Sequence, residues 1–570
     1  MNQKYSVPTA VGIAAGTIKG ILITCNIYLL QAIVDTAVTG KYWDAMIRLC
    51  YMAVSTGIVL LADLVKSKMI LVLNKRIEIG EGECLLNKIS RLPYELFEDS
   101  ALFPKFDRVM TDGVEQKKGL YQSIFNGVEF AVEYIGISIY ACSVKWWCLL
   151  VIFLLTIPVW LLTIVGASSE GKFTQDNWKW NQKALIFSHI LNSREFIKEE
   201  KIFGFYPLIS KRWKENAEKY QHGKIRSSFS VRVWIGAVNF LQYAVTIVLA
   251  WLLILDIRKG SVTIGELVAT MDSLWRMIGS ALFTVVGLLG GFVGYSEYAK
   301  QRKWFMNLKE EKESGEELED IRSVEFQNVC YGYPAEKEED RRMVLQGVSF
   351  RIDQGERTAL VGENGCGKST VIKLMTGLLK PVSGTILING RNAEDYSISS
   401  RRRAFSCVFQ DYMKYDISLK DNIQLGALWQ KEDPSEALSR IDRDLAANVG
   451  GMDQILGRSV EGARDVSGGQ WQKIALARGI YSKASFWVLD EPTAAIDPIS
   501  ERDVIETMLK VRENCTKVFV THRLGSVRFM DKVIVLRNGK VENIGTHETL
   551  RKEDPYYEKL YSTQEKWYRS

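Results

Sequence analysis

No two of the nine cysteines form a C-x-x-C pair, and none is set at metal-ligand spacing. Scattered at 25, 50, 84, 142, 148, 330, 366, 407 and 515, they argue against both a disulfide framework and structural zinc. Cys142 and Cys148 flank a short predicted outer loop, so a bond between them stays open beside the plainer role of apolar packing. Near Lys4 there is no apolar core followed by a small-residue cleavage site, so no secretory signal peptide is expected. The first apolar span is then expected to direct the chain to a membrane. Charge is missing from three long runs, Trp147–Gly166, Trp234–Leu255 and Met277–Tyr295. Each is about long enough to cross ~30 Å of hydrocarbon.

Weaker apolar runs surround Gly20–Val34, Leu49–Ala62 and Gly119–Val144, where Lys19, Asp35, Asp63, Glu129 and Glu133 interrupt or bound the pattern. The reading is six spans, about 7–39, 45–73, 119–144, 147–168, 229–256 and 262–300, with four as the smaller alternative. Two long polar excursions, Asn74–Lys118 and 169–228, are rich in lysine and arginine and therefore expected in the cytoplasm. The same clustering accounts for the net charge of +6 without nucleic acid as a partner. Pro93 and Pro104 bracket a break in the first excursion, and the aromatic stretch Phe203–Pro207 marks one in the second. Gly287, Gly290, Gly291 and Gly294 give overlapping G-x-x-x-G spacings, which suit either packing within one bundle or a seam between two chains. The membrane part is thus residues 1–308, the charged stretch 309–321 is a linker, and 322–570 has the alternation of a soluble α/β domain.

That second half holds the chemistry. Thr358–Val361 reads as a strand and Val371–Leu379 as a helix, with Gly-Glu-Asn-Gly-Cys-Gly-Lys-Ser-Thr at 362–370 between them. This is a P-loop: Gly362, Gly365 and Gly367 let the backbone wrap phosphate, while Asn364, Cys366 and Thr370 complete the turn. Lys368 is expected on the terminal phosphates and Ser369 on a magnesium ion. Lys368 and a helix N-terminus beside Cys366 also favour its thiolate form. Phe486–Leu489 form a strand ending in Asp490, suited to the magnesium shell, and Glu491, suited to activating water. Gln410 follows Cys407–Phe409 and can sense metal and water; His522 follows Val518–Thr521 and can reach the terminal phosphate.

Ser467-Gly468-Gly469-Gln470, preceded by Val466, is a second phosphate-facing turn opening a helix. With it the chain resembles the ATP-binding-cassette transporters, along essentially its whole length, and six spans ahead of one cassette is similar to the exporter branch. The resemblance implies ATP and Mg2+ as cofactors and a dimer, because in that family the signature turn of one chain covers the triphosphate held by the other. It also implies that Tyr333 stacks on adenine, that Gln410 belongs to the Q-loop, that Asp497 of Ala494-Ala495-Ile496-Asp497 belongs to the D-loop, and that His522 is the switch histidine. Segments near Tyr94–Phe103 and Lys198–Phe205 look like its two coupling helices. Val466 stands where leucine is usual, a small apolar change.

Because Glu491 and His522 are both present, a homodimer is favoured, with a related half-transporter as the alternative partner. The implied protein is an ATP-driven exporter, multi-pass in a bacterial plasma membrane and surrounded by lipid, with its cassette in the cytoplasm. No domain is expected ahead of the first span, hence no fused leader peptidase. Ser467–Lys473 is similar to the same run in exporters of modified bacterial peptides, which favours a peptide cargo over a lipid or small drug. An ATP-regulated channel or sensor is a further alternative, against which Glu491 argues. Glu129 and Glu133 lie four apart on one face of the third span, as do Asp272 and Arg276 at the start of the last. One reading is a structural ion-pair network in which Arg276 neutralises one glutamate. The other, since two acids leave a surplus of negative charge, is that Glu129 and Glu133 line a translocation cavity, with Asp272 and Arg276 as further candidates, for cationic or amphipathic cargo such as a basic peptide.

Overall fold

The computed structural model describes residues 3–99, 102–311, 313–334, 341–492, 498–511 and 515–569. The chain forms two compact units, Met1–Ser90 with Lys105–Leu308, and Arg91–Pro104 with Lys309–Ser570.

The first unit is helical. Its long members among the described residues are α1 (Gln3–Val38), α2 (Tyr42–Ile89), α4 (Phe103–Val144), α5 (Trp146–Asn192), α7 (Tyr206–Arg258) and α8 (Ile264–Met306), with the short α6 (Arg194–Phe203) between α5 and α7. The helices pass well beyond the apolar runs: 53 residues in α7 make about 80 Å of helix, far more than a bilayer needs. Among the described residues four candidate spans meet the length and apolarity of a membrane crossing, Tyr5–Val38, Tyr42–Ile89, Arg108–Val144 and Arg232–Arg258. The break expected at Phe203–Pro207 falls at Gly204, whose φ of +63° ends α6 in a left-handed cap.

Thr263 and Glu266 form a capping box at the start of α8, and Asp35 of α1 accepts from Thr263 Oγ1 and Gly265 N, both at 2.9 Å. Across the α4–α5 and α7–α8 turns, Lys145 Nζ lies 3.6 Å from Asp256. Tyr140, Leu253, Ala269 and Met277 pack in the core beneath. Side chains added at Gly291 or Gly294 would strike Ser123 and Gln116 of α4, so these two glycines pack within the bundle, whereas Gly287 and Gly290 face open space. All nine cysteines are free, Cys142 exposed and Cys148 buried, so no bond joins that pair.

In the second unit α3 (Glu95–Glu98) precedes two sheets. One is antiparallel, in the order β2 (Met343–Asp353), β1 (Ser323–Gly332), β4 (Ser383–Ile388), β5 (Arg391–Asn392). The other runs β10 (Lys540–Gly545), β9 (Lys532–Arg537), β3 (Arg357–Val361), β8 (Thr516–Val520), β7 (Phe486–Asp490), β6 (Phe405–Val408). It is parallel except at β10. All five residues of β7 and of β8 are buried, as strands covered on both faces require. Leu360 of β3 and Asp490 of β7 both pair with Val520 of β8, so the three strand ends finish level and open on one edge.

Candidate nucleotide site

The P-loop leaves the central strand at that edge. Gly365 and Gly367 take φ of +77° and +107°, which other residues adopt only with strain. A Cβ at Gly362 would lie 2.2 Å from Leu536 O. Helix α9 begins inside the motif, at Lys368, and ends at Met375, four residues short of Leu379, because Gly377 turns left-handed at φ +72°. Gly367 caps it without a side-chain acceptor, so the first amides of α9 point at the loop's mouth as an anion site does. Lys368 is buried and its Nζ donates to Gly362 O and Glu363 O at 2.9 Å, with burial holding its pKa below the usual lysine range.

Ser369 Oγ donates to Asp490 Oδ2 at 3.3 Å. Burial pushes the Asp490 carboxyl up to about 6, helped by the neighbouring charge of Glu491 and opposed by the Ser369 hydrogen bond. A magnesium ion fits here: a hydroxyl and a poorly solvated carboxylate offer hard oxygens to a cation that takes its other ligands from phosphate and water. Among the described residues no group of three or more His, Cys, Asp or Glu is placed to hold a metal.

Glu491 stands one residue past β7 at φ +47°, an uncommon backbone for glutamate, fixed by its N–H to Val520 O at 2.9 Å. Its carboxylate accepts from Gln410 Nε2 at 2.8 Å and lies 3.0 Å from His522 Nε2. Burial, then the charge of Lys368, lower the His522 pKa, so the ring is neutral and donates its Nε2–H to Glu491. Four residues singled out in the sequence, Gln410, Asp490, Glu491 and His522, thus meet around one point, with Ser369 and Lys368 adjoining.

Ser467 and Gln470 cap each other reciprocally, Ser467 N to Gln470 Oε1 at 2.8 Å and Gln470 N to Ser467 Oγ at 3.3 Å. This leaves the Gly468 and Gly469 amides at a helix N-terminus. Among the described residues this turn shares no hydrogen bond with the P-loop of its own chain. Tyr333 donates or accepts with Thr370 Oγ1 at 3.2 Å, beside the loop. Asp497 and its neighbours Ala494–Ile496 lie outside the described residues.

Two expectations need correction. Cys366 is buried, and desolvation drives its thiol pKa up despite Lys368, so it is a protonated packing residue rather than a thiolate. In the first unit Arg276 pairs with Asp272 at 2.7 Å and, among the described residues, forms no ion pair within 4 Å with either glutamate. Glu129 is held instead by Lys19 at 2.9 Å and Lys66 at 2.5 Å, while Lys19 also binds Asp63 at 2.5 Å. Glu133 has no ion pair or hydrogen bond among the described residues. Sequence reading missed Tyr412, whose hydroxyl donates to Gly468 O at 3.0 Å, and Gln472, whose amide reaches Glu491 O at 3.4 Å. Their positions just after Gln410 and just inside the signature helix were the available signal.

Residues 345–494 match the ABC transporter family and residues 9–280 the ABC transporter transmembrane region. Over 562 residues the chain is 30% identical to the subtilin transport ATP-binding protein SpaT of Bacillus subtilis, covering 95% of this chain and 89% of that one. The nisin transport ATP-binding protein NisT of Lactococcus lactis subsp. lactis is 31% identical over 340 residues, 58% of this chain and 56% of its own length. The structure of a bacterial Atm1-family ABC exporter with ATP bound superposes with a TM-score of 0.79 at 21% identity, covering 99% and 98% of the two chains, a likeness of fold.

The fold and site together define an ATPase domain joined to a membrane-spanning helical region. The chain belongs to the ABC transporters, as a half-transporter that couples ATP hydrolysis to transport. It is a multi-pass integral membrane protein with its nucleotide-binding domain on the cytoplasmic side.

Proposed function

We propose that two copies of this chain pair to export a peptide, each P-loop facing the Ser467–Gln470 turn of the other copy and enclosing one ATP. The observation that carries this is the split site. Gln410, Asp490, Glu491 and His522 converge beside the P-loop, while the second phosphate-facing turn, Ser467–Gln470, shares no hydrogen bond with it among the described residues. In each site Tyr333 stacks on adenine, Lys368 leaves its two carbonyls for the terminal phosphates, and the α9 amides cradle them. Ser369, Asp490 and Gln410 would hold Mg2+, which would supply positive charge against that developing on the phosphates. Glu491 takes the proton of the attacking water, and His522 donates to the terminal phosphate.

The likeness to the subtilin and nisin transport proteins supports a peptide cargo, joined to the resemblance of Ser467–Lys473. Pairing by Lys19 and Lys66 makes Glu129 part of a scaffold, and Asp272 and Arg276 a second one, which leaves Glu133 as the acid that reads positive charge on the cargo. The test uses proteoliposomes with cassettes outward, supplied with a labelled cationic amphipathic peptide, its neutral analogue and a headgroup-labelled lipid. ATP-dependent accumulation of the cationic peptide, lost in Glu491→Gln, is expected. Movement of the lipid alone would replace the peptide reading, and ATP-gated flow down a gradient would replace the pump.

A further inference from the structure

The segment Arg91–Pro104 lies between two membrane helices in sequence yet folds with the nucleotide-binding unit. Leu92 is buried, Tyr94 packs against the core around β1 and α9, Glu95 Oε1 accepts from Lys380 N at 2.8 Å, and Arg91 O accepts from Glu311 N at 2.9 Å. One side chain of α9 joins this segment to the nucleotide side. Lys373 Nζ donates to Glu98 Oε1 at 2.7 Å and lies 5.3 Å from the Tyr94 ring centre and 5.8 Å from that of Tyr333. Glu98 Oε1 in turn accepts from the Tyr94 hydroxyl at 2.5 Å.

We propose that Lys373 is a positioning residue that links occupancy of the adenine platform Tyr333 to docking of the 91–104 segment, with Glu98 pinning its cation between the two tyrosine rings. This rests on the reading of Tyr333 as the adenine platform. The electrostatics suit the role. Glu98 is held below the usual carboxylate range and Lys373 above the usual lysine range by their mutual hydrogen bond, outweighing burial, so both are charged throughout the physiological range. A cation beside a tyrosine ring is attracted by its π face, and an adenine stacked on that ring shares the interaction. Whatever ATP adds to the Tyr333–Lys373 arrangement is felt at Glu98, and by linkage a docked Glu98 raises ATP affinity by the same factor. The signal leaves from the base, not from the phosphates, and so is separate from the Glu491–Gln410–His522 cluster.

The experiment measures binding of Mg-ATP and of magnesium tripolyphosphate, which lacks the base, to the full chain in lipid nanodiscs. Glu98→Gln and Lys373→Met should each weaken ATP by roughly 2–5-fold, the double variant should be no weaker than either, and Lys373→Arg should restore affinity. Tripolyphosphate should bind all of them alike. Hydrogen exchange gives the reciprocal reading: ATP should slow the amides of residues 94–99 in the parent and leave them unchanged in Lys373→Met. Additive losses, equal losses for tripolyphosphate, or the same slowing of exchange in Lys373→Met would overturn the linkage. Tyr333→Leu separates the two readings. If it fails to weaken ATP relative to tripolyphosphate, the platform assignment is wrong; if it does weaken ATP while the Glu98 and Lys373 effects stay independent, only the linkage fails.

Discussion

Replacing Glu491 by glutamine changes one atom and removes the group proposed to take the proton of water. The carboxylate now accepts two hydrogen bonds, from Gln410 Nε2 at 2.8 Å and from neutral His522 at 3.0 Å. A glutamine there has one acceptor and one amide donor, so it keeps one of these bonds and opposes a donor to the other unless Gln410 turns its own amide over. The φ of +47° is no harder for glutamine than for glutamate, and the side chain is partly reached by water, so the structural cost stays at about 1–2 kcal/mol. Losing the base should slow hydrolysis by roughly 10²–10⁴-fold, a barrier increase of about 3–5 kcal/mol. Nucleotide binding should hold, because Lys368, Ser369 and the α9 amides are untouched. The assay is the hydrolysis rate of Mg-ATP in nanodiscs beside a direct ATP affinity, with Lys368→Ala as the contrast that loses affinity instead. Turnover within about threefold of the parent would show that another group activates the water.

Raising the Asp490 pKa to about 6 fixes the sign of a pH effect. Its charged form must be present to hold Mg2+, so metal affinity should be full above pH 7 and fall about tenfold by pH 5 relative to Asp490→Asn, which corrects for titration of the nucleotide itself. A Mg2+ titration with bound nucleotide reads it, and parallel curves in parent and variant would remove Asp490 from the metal site. Buried and protonated, Cys366 should react slowly with a maleimide, and Cys366→Ala should lose ATPase activity under the reagent no more slowly than the parent; protection by the substitution would restore the thiolate. Glu129→Gln leaves Lys19 and Lys66 short of a partner and should lower the thermal midpoint, while Glu133→Gln should leave it unchanged and reduce transport of cationic cargo more than neutral. Equal midpoints for the two variants would contradict that division.

What the sequence made legible was local. The P-loop, the Asp490–Glu491 strand end and the Ser467–Gln470 cap each lie within about ten residues, where spacing alone fixes strand, turn and helix. Long-range electrostatics were not legible in that way. Glu129 finds its counter-charges 110 and 63 residues away on α1 and α2, which helical spacing cannot show, whereas the pair that spacing does show, Asp272 and Arg276 four apart, forms. Cys366 was misread because the loop's cation is visible in sequence and the packing of Gly362 and Leu536 around the thiol is not. Lys373 meets Glu98 across 275 residues, a pairing that only the docking of a short segment onto α9 creates.

The central claim is that a working site needs parts of two chains, and mixing two inactive variants tests it most directly. Lys368→Ala removes the phosphate-holding cation, and Gly468→Asp sets a carboxylate where the signature amides would meet the triphosphate. Alone, each should form dimers with two dead sites. Co-reconstituted in equal amounts, half of the dimers are mixed and carry one intact site between the Gly468→Asp P-loop and the Lys368→Ala signature turn, so hydrolysis should recover to about a quarter of the parental rate. A mixture no more active than the sum of its two inactive components would contradict a site shared between chains.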